Sequence, residues 1–180
     1  LGINYAIASA MKGFKIICYD NNLNTILNLK KKKIPFYEKN TKKNLMKKFK
    51  QFKFTNEITD LKNCDLVFIS QDVPTNFQGK SNLLEIKKLI KKIIRIIKKT
   101  SNLIILCQVP PGFTRSINWP SNNLYYQVET LVFSNALERA FSPERIIIGK
   151  DSSKMDKKYN FFLKKFKCPI LEMNYESAEL

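Results

Sequence analysis

Short apolar runs rich in β-branched residues alternate with longer helical patterns, and this alternation constrains the fold more than any other feature. Residues 14–20, 66–70, 103–107 and 145–149 read as strands. Helical spacing of apolar residues predicts helices over residues 3–12, 22–32, 41–50, 82–99 and 153–166. Near-continuous apolar strands separated by helices are the mark of a mostly parallel sheet covered on both faces. The expected class is therefore α/β. A length of 180 residues with 44% hydrophobic side chains suits one domain, or one domain and the start of another.

Both termini read as cuts. Leu1-Gly2 opens directly into a helical pattern without an initiating Met, and Ala178-Glu179-Leu180 stops inside one. The four cysteines, Cys18, Cys64, Cys107 and Cys168, are widely spaced, and the chain has no His, so no metal site is expected. Three of the four lie in apolar or strand-like runs, which predicts buried free thiols in a reducing cytoplasm.

The net charge of +17 raises a nucleic-acid reading. Its distribution argues against one: lysines are spread over most helical segments, and the Phe residues mostly hold apolar-periodic positions rather than stacking ones. Much of the charge reads as compositional drift toward Lys, Ile, Asn and Phe, and the positive field would help attract a polyanionic nucleotide. No apolar stretch reaches the roughly 20 residues of a membrane span. The basic amphipathic stretch 83–99 could lie on a membrane in isolation. Its place between two buried-type strands calls instead for a crossover helix.

Gly2 starts a helix that ends at Gly13, and the strand that follows terminates in Asp20. This is the order of the back half of a dinucleotide-binding βαβ unit. A glycine allows close approach beside a pyrophosphate, whose charge suits a helix N-terminus. A carboxylate at the strand end would accept the ribose hydroxyls and disfavour a 2′-phosphate, so NAD is expected over NADP. An Asp that merely builds the turn is the alternative at this position.

Later segments are more specific. Ile34-Pro35-Phe36-Tyr37-Glu38 is similar to a "P-I-x-E-P-G-L" segment, and Phe54-Thr55-Asn56-Glu57 followed by Cys64-Asp65-Leu66-Val67-Phe68-Ile69 to "F-T-T-D … A-D-V-V-F-I". Val73-Pro74-Thr75 stands for "T-P-T", and Gln108-Val109-Pro110-Pro111-Gly112-Phe113-Thr114 for "T-V-P-V-G-T-T". Ser142-Pro143-Glu144-Arg145-Ile146-Ile147-Ile148-Gly149 matches "N-P-D-R-I-V-I-G", and Tyr175-Glu176-Ser177-Ala178-Glu179-Leu180 looks like the lead-in to a catalytic helix. Six such segments in order, over essentially the whole chain, resemble the UDP-glucose/GDP-mannose dehydrogenase family.

The resemblance implies a Rossmann-like, doubly wound, mostly parallel sheet with helices on both faces. It implies an NAD-binding domain over residues 1–174, with residues 175–180 opening the central helix toward a second domain. Cofactor contacts are expected at Gly2, Asp20, Val73, Pro74, Thr75 and Gln108, gathered along the carboxyl edge of the strands. Family members oxidise the C6 alcohol of a nucleotide sugar to a carboxylate in two NAD-dependent steps through a thioester on a Cys. The catalytic carboxylate of their "N-P-E-F-L" motif corresponds to Glu129 in Gln127-Val128-Glu129-Thr130-Leu131. Water attack on an acyl carbon needs such a proton acceptor, although a carboxylate simply starting a helix is the competing reading.

A UDP-sugar substrate, a homodimeric full-length protein and a cytoplasmic location, with neither nucleic acid nor membrane as partner, complete the expectation. The fragment itself is expected to be inactive. A Lys two residues past Leu180 and the nucleophilic Cys would lie downstream. Several positions depart from the family pattern: Phe133 for a second Glu, Cys107-Gln108 for Ser-Thr, Thr25 for a basic residue and Val73 for Thr. Another Rossmann dehydrogenase, of the 6-phosphogluconate or hydroxyacid type, shares the first half but not the segments at 142–149 and 175–180.

Overall fold

A computed structural model describes residues 2–34, 38–130, 135–151 and 154–180. Leu1, Pro35, Phe36, Tyr37, Leu131, Phe133 and Ser153, all used in the sequence reading, lie outside the described residues. The chain forms two compact units: Leu1–Leu61 with Thr130–Pro143, and Lys62–Glu129 with Glu144–Leu180.

In the first unit, helix α1 (Gly2–Met11) buries Ile7, Ala8 and Ala10 completely. Helices α3 (Thr41–Lys48) and α5 (Ala136–Phe141) pack against it, and the small Ala8 and Ala10 suit a close approach. Gly13, with φ of 99°, ends α1. Its N–H reaches the Ala10 carbonyl at 3.0 Å, and the Phe14 N–H reaches Ser9 at 3.2 Å, a Schellman closure that only glycine enters without strain. The chain then runs into β1 (Ile16–Tyr19), which pairs in parallel with β2 (Phe52–Thr55) from Ile16↔Phe52 to Tyr19↔Thr55. Between them α2 (Leu23–Lys30) is capped by the Asn22 side chain, which accepts the N–H groups of Asn24 and Thr25. Two further polar contacts fasten this unit. Thr41 Oγ1 donates to Asn4 Oδ1 in the buried α1–α3 contact, and the Ala136 N–H at the start of α5 donates to Glu38 Oε1 at 2.9 Å.

The second unit holds a five-stranded sheet in the order β3 (Leu66–Ile69), β4 (Asn102–Ile105), β5 (Leu124–Gln127), β6 (Ile146–Gly149), β7 (Ile170–Met173). The β3–β4, β4–β5 and β6–β7 pairs are parallel, and β5–β6 is antiparallel. Residues Leu103, Ile104 and Ile105 of β4 are fully buried, as befits a strand inside a sheet. Helix α4 (Leu84–Ile93) is the crossover between β3 and β4 and buries Ile86, Ile90 and Ile93. Helix α6 (Lys157–Lys164) adds Tyr159 and Phe162 to an aromatic cluster with Phe68, Tyr125 and Phe166.

A third helix, α7 (Tyr175–Glu179), lies on β5 and β6. Its close approach needs Gly149, where an added Cβ would stand 3.0 Å from Ala178 Cβ and 3.1 Å from Tyr175 Cα. Buried Tyr175 donates its hydroxyl to the Leu124 carbonyl at 2.9 Å and fixes the helix along the sheet.

Several expected boundaries shift. The helix expected over 82–99 ends at Ile93, where the N–H groups of Arg95 and Ile96 turn to carbonyls three residues back. The helix expected from 153 starts at Lys157, because Asp156 caps it. The helix over 41–50 tightens into a 3-10 turn at Phe49–Gln51. Strands β2, β5 and β7 were not among the four read from apolar runs. Phe52–Thr55 and Ile170–Met173 each carry a charged residue in four, which breaks the apolar signal. The thiols are also less buried than expected: Cys107 is buried, whereas Cys18, Cys64 and Cys168 are half-buried.

Candidate functional site

Gly2 is the first residue of α1, and no acidic side chain occupies that first turn. The positive end of the helix dipole is therefore not neutralised locally, which suits an incoming phosphate. In the same unit Asp20 directly follows β1. Its N–H donates to the Thr55 carbonyl, and its Oδ1 accepts the Asn22 N–H at 2.8 Å. Asp20 thus builds the turn into α2, and the same bond orients its carboxylate. The turn reading of this residue describes this bond, and the carboxylate keeps further acceptor capacity beyond it. Burial raises the pKa of the neighbouring Tyr19 hydroxyl, helped by the charges of Asp20 and Glu57.

The remaining predicted positions are in the second unit, in loops after successive strands. Beyond β3, Val73 is half-buried and Pro74 and Thr75 are exposed. The loop is folded back on itself: Pro74 accepts the Asn82 N–H at 2.8 Å, Thr75 bridges to Ser81, and Asn76 Oδ1 accepts the N–H groups of Gln78 and Lys80. Beyond β4, Leu106 donates its N–H to Ile69 at 2.8 Å, so the β3 and β4 loops start side by side. Cys107 turns inward and Gln108 outward. Burial pushes the Cys107 thiol up to about 12, with a further contribution from Asp72 in the β3 loop. Such a thiol is a poor nucleophile near neutrality.

Glu129 is half-buried two residues beyond β5. It does not start a helix among the described residues; the next one, α5, begins at Ala136. Residues 131–134, where a helix started by Glu129 would run, lie outside the described residues. Tyr126 shows what surrounds this position. Its hydroxyl is pushed up to about 12 by burial, then by the charges of Cys107, Glu179 and Glu129. Cys107, Glu179 and Glu129 are thus the charges felt at Tyr126. Neither Tyr126 nor Glu179 was singled out as a site residue. Glu179 was visible only as part of the Tyr175–Leu180 motif, and nothing local in the sequence predicts its long-range contacts.

Those contacts are backbone ones. Glu179, 8% exposed, accepts the Gly112 N–H at 2.6 Å and the Thr114 N–H at 2.7 Å. One turn earlier on α7, Glu176 receives both the Nε and Nη2 of Arg115, whose Nη1 donates to Asp151. The Arg115 contact holds the Glu176 carboxyl down to about 2. Among the described residues, no three His, Cys, Asp or Glu side chains gather to hold a metal ion.

The sequence matches the UDP-glucose/GDP-mannose dehydrogenase family, NAD binding domain, over residues 1–167. The chain belongs to this family. NAD is accordingly the cofactor of the domain, and the start of α1, with no acidic residue in its first turn, and the Asp20 carboxylate just after β1 are chemically suited to it. A UDP-glucose 6-dehydrogenase of Rickettsia typhi is 27% identical over 181 residues, covering 96% of this chain and 41% of that protein. The GDP-mannose dehydrogenase of Pseudomonas aeruginosa superposes with a TM-score of 0.88 at 19% identity, over 99% of this chain and 45% of its own. A UDP-glucose dehydrogenase from Pyrobaculum islandicum gives 0.85 at 22% identity, over 99% and 45%. These likenesses establish the Rossmann-like α/β fold, and the chain spans about two fifths of the length of the curated relatives it matches.

Proposed function

We propose that this chain is the NAD-binding part of a nucleotide-sugar dehydrogenase that oxidises the C6 alcohol of a UDP-glucose-type sugar to the uronic acid. The family match over residues 1–167 carries this reading. In it, residues 1–174 are the cofactor domain and 175–180 open the helix that leads to the sugar-binding domain. The α1 start at Gly2 receives the pyrophosphate, where the helix dipole favours negative charge. Asp20 accepts the ribose hydroxyls, and its charge repels a 2′-phosphate. Val73, Pro74, Thr75 and Gln108 supply further cofactor contacts from two adjacent, proline-stiffened loops.

Bound there, NAD would supply the acceptor for hydride from the sugar carbon. Glu129, half-buried two residues beyond β5, takes the proton from the water that releases the carboxylate product. The full-length protein is read as a cytoplasmic homodimer, with neither nucleic acid nor membrane as partner.

Full-length protein should form NADH with UDP-glucose or a related UDP-sugar and should prefer NAD to NADP. A Glu129→Gln variant should lose about 10²–10⁴-fold in turnover, the usual range for a general base. NADH formation absent across UDP-glucose, UDP-N-acetyl sugars and GDP-mannose would overturn the activity. Unchanged turnover in Glu129→Gln would remove that residue from the chemistry.

A further inference from the structure

Gln108 sits on a segment held at both ends. On its near side, β4 is hydrogen-bonded into the sheet and Leu106 is tied to Ile69. On its far side lies a turn with no strand to hold it: Pro110 and Pro111 are exposed, and Gly112 has φ of 85°. The turn leads directly into the 3-10 turn Thr114–Ser116. Its N–H groups need acceptors, and no neighbouring side chain in the sequence supplies them. The acceptor comes from α7, 65 and 67 residues further along the chain, where the two oxygens of Glu179 take the N–H groups of Thr114 and Gly112 separately. A buried carboxylate with two backbone donors is a charge-assisted clamp, and losing one side leaves buried donors unsatisfied.

We propose that Glu179 is a positioning residue for the cofactor. By clamping Gly112 and Thr114 from α7, it holds the segment 108–111 in the conformation that meets NAD. The proposal rests on the reading of Gln108 as a cofactor contact. Two prolines between the clamp and Gln108 make the segment stiff, so a shift at Gly112 is passed to Gln108 rather than absorbed. Glu176 provides a contrast within the same helix. It grips the Arg115 side chain rather than the loop backbone, so it helps seat α7 without fixing the turn.

The test uses the full-length protein, with Glu179→Gln compared against Glu176→Gln. Glutamine offers one acceptor and turns an NH₂ donor toward the second N–H, so half the clamp becomes a donor–donor contact. Glu179→Gln should raise KM for NAD about tenfold or more, while kcat at saturating NAD changes far less, as expected when a charge-assisted contact supporting binding is lost. Glu176→Gln should leave KM for NAD within about twofold, as expected for an exposed ion pair.

A folded Glu179→Gln protein with the wild-type KM for NAD overturns the clamp. So does a fall in kcat and thermal midpoint with KM unmoved, which would mark a structural role alone. Wild-type protein that fails to bind NAD defeats the underlying reading of the loop instead. If Glu179→Gln does not fold, amide hydrogen exchange on wild-type protein decides. Slow exchange at Gly112 and Thr114, with added protection of 108–114 on NAD addition, supports the clamp, and fast exchange at both amides overturns it.

Discussion

Replacing Asp156 by alanine removes a single side-chain oxygen that three donors share. Asp156 Oδ1 accepts the N–H groups of Lys158 and Tyr159 at 2.8 and 3.3 Å, capping α6, and the Asn102 side-chain amide at 2.7 Å. Losing such a cap costs about 1 kcal/mol. Asn102 is fully buried and its Oδ1 has no hydrogen-bond partner, so its amide group would lose the contact that offsets its burial. That adds roughly 1–3 kcal/mol. Water can reach the half-exposed cap and replace part of it, so the expected total is about 2–3 kcal/mol.

The assay is urea denaturation followed by the fluorescence of Trp119, the one tryptophan of the sequence. Trp119 is buried in the same unit and donates its indole N–H to the carbonyl of Ser101, the residue before Asn102. Asp156→Asn keeps a carbonyl acceptor in the same place and should lose only about 1 kcal/mol, the difference between a charged and a neutral acceptor.

The pH dependence follows from the carboxyl group's depressed pKa. Burial raises it, but hydrogen bonds from Asn102, Lys158 and Tyr159 and the Lys158 charge outweigh burial and hold it below the usual range. The ionised form is thus favoured in the folded state. Its contribution is complete above the unfolded pKa of about 4 and is lost as pH falls through the folded value. The gap between wild type and Asp156→Asn should therefore close at low pH. Equal losses in the alanine and asparagine variants, or a loss below about 0.5 kcal/mol in alanine, would refute the reasoning, since surface substitutions reach that much without any such contact.

Two other expectations follow from packing and burial. Gly149→Ala forces a methyl group against Ala178, Tyr126 and the Tyr175 backbone at 3.0–3.1 Å, and should destabilise by about 1–3 kcal/mol in the same urea assay; a neutral or stabilising result would mean that α7 is not seated tightly on β6. Cys18 and Cys107, both pushed up to about 12 by burial, should label slowly with a thiol reagent in native protein near pH 8, as read by mass spectrometry, and readily after denaturation. Because their folded pKa values are raised, they also make stability fall as pH rises above the unfolded thiol value of about 8.5. Rapid native labelling of Cys107 would contradict its burial.

The sequence by itself determined the class of fold and the family, because those depend on local signals. Apolar runs at 66–70, 103–107 and 145–149 announce strands whose burial on both faces demands such runs, and α1 is bracketed by Gly2 and Gly13 for local conformational reasons. Helix ends were less legible: α6 starts at Lys157 rather than at residue 153, because the Asp156 side chain takes its first N–H groups. The site divides the same way. Asp20 was singled out because it follows a recognisable strand, and Glu129 because it lies in a family-like segment whose strand the apolar runs did not show.

What only the tertiary structure decided is where the long-range polar contacts go. Glu179 and Gly112 are 67 residues apart, and no periodicity or local motif encodes which buried N–H a distant carboxylate will satisfy. That pairing depends on Gly149 admitting α7 to the sheet and on Tyr175 fixing its register. The geometry of packing, rather than any local preference of the chain, therefore makes Glu179 the acceptor for the loop that carries Gln108.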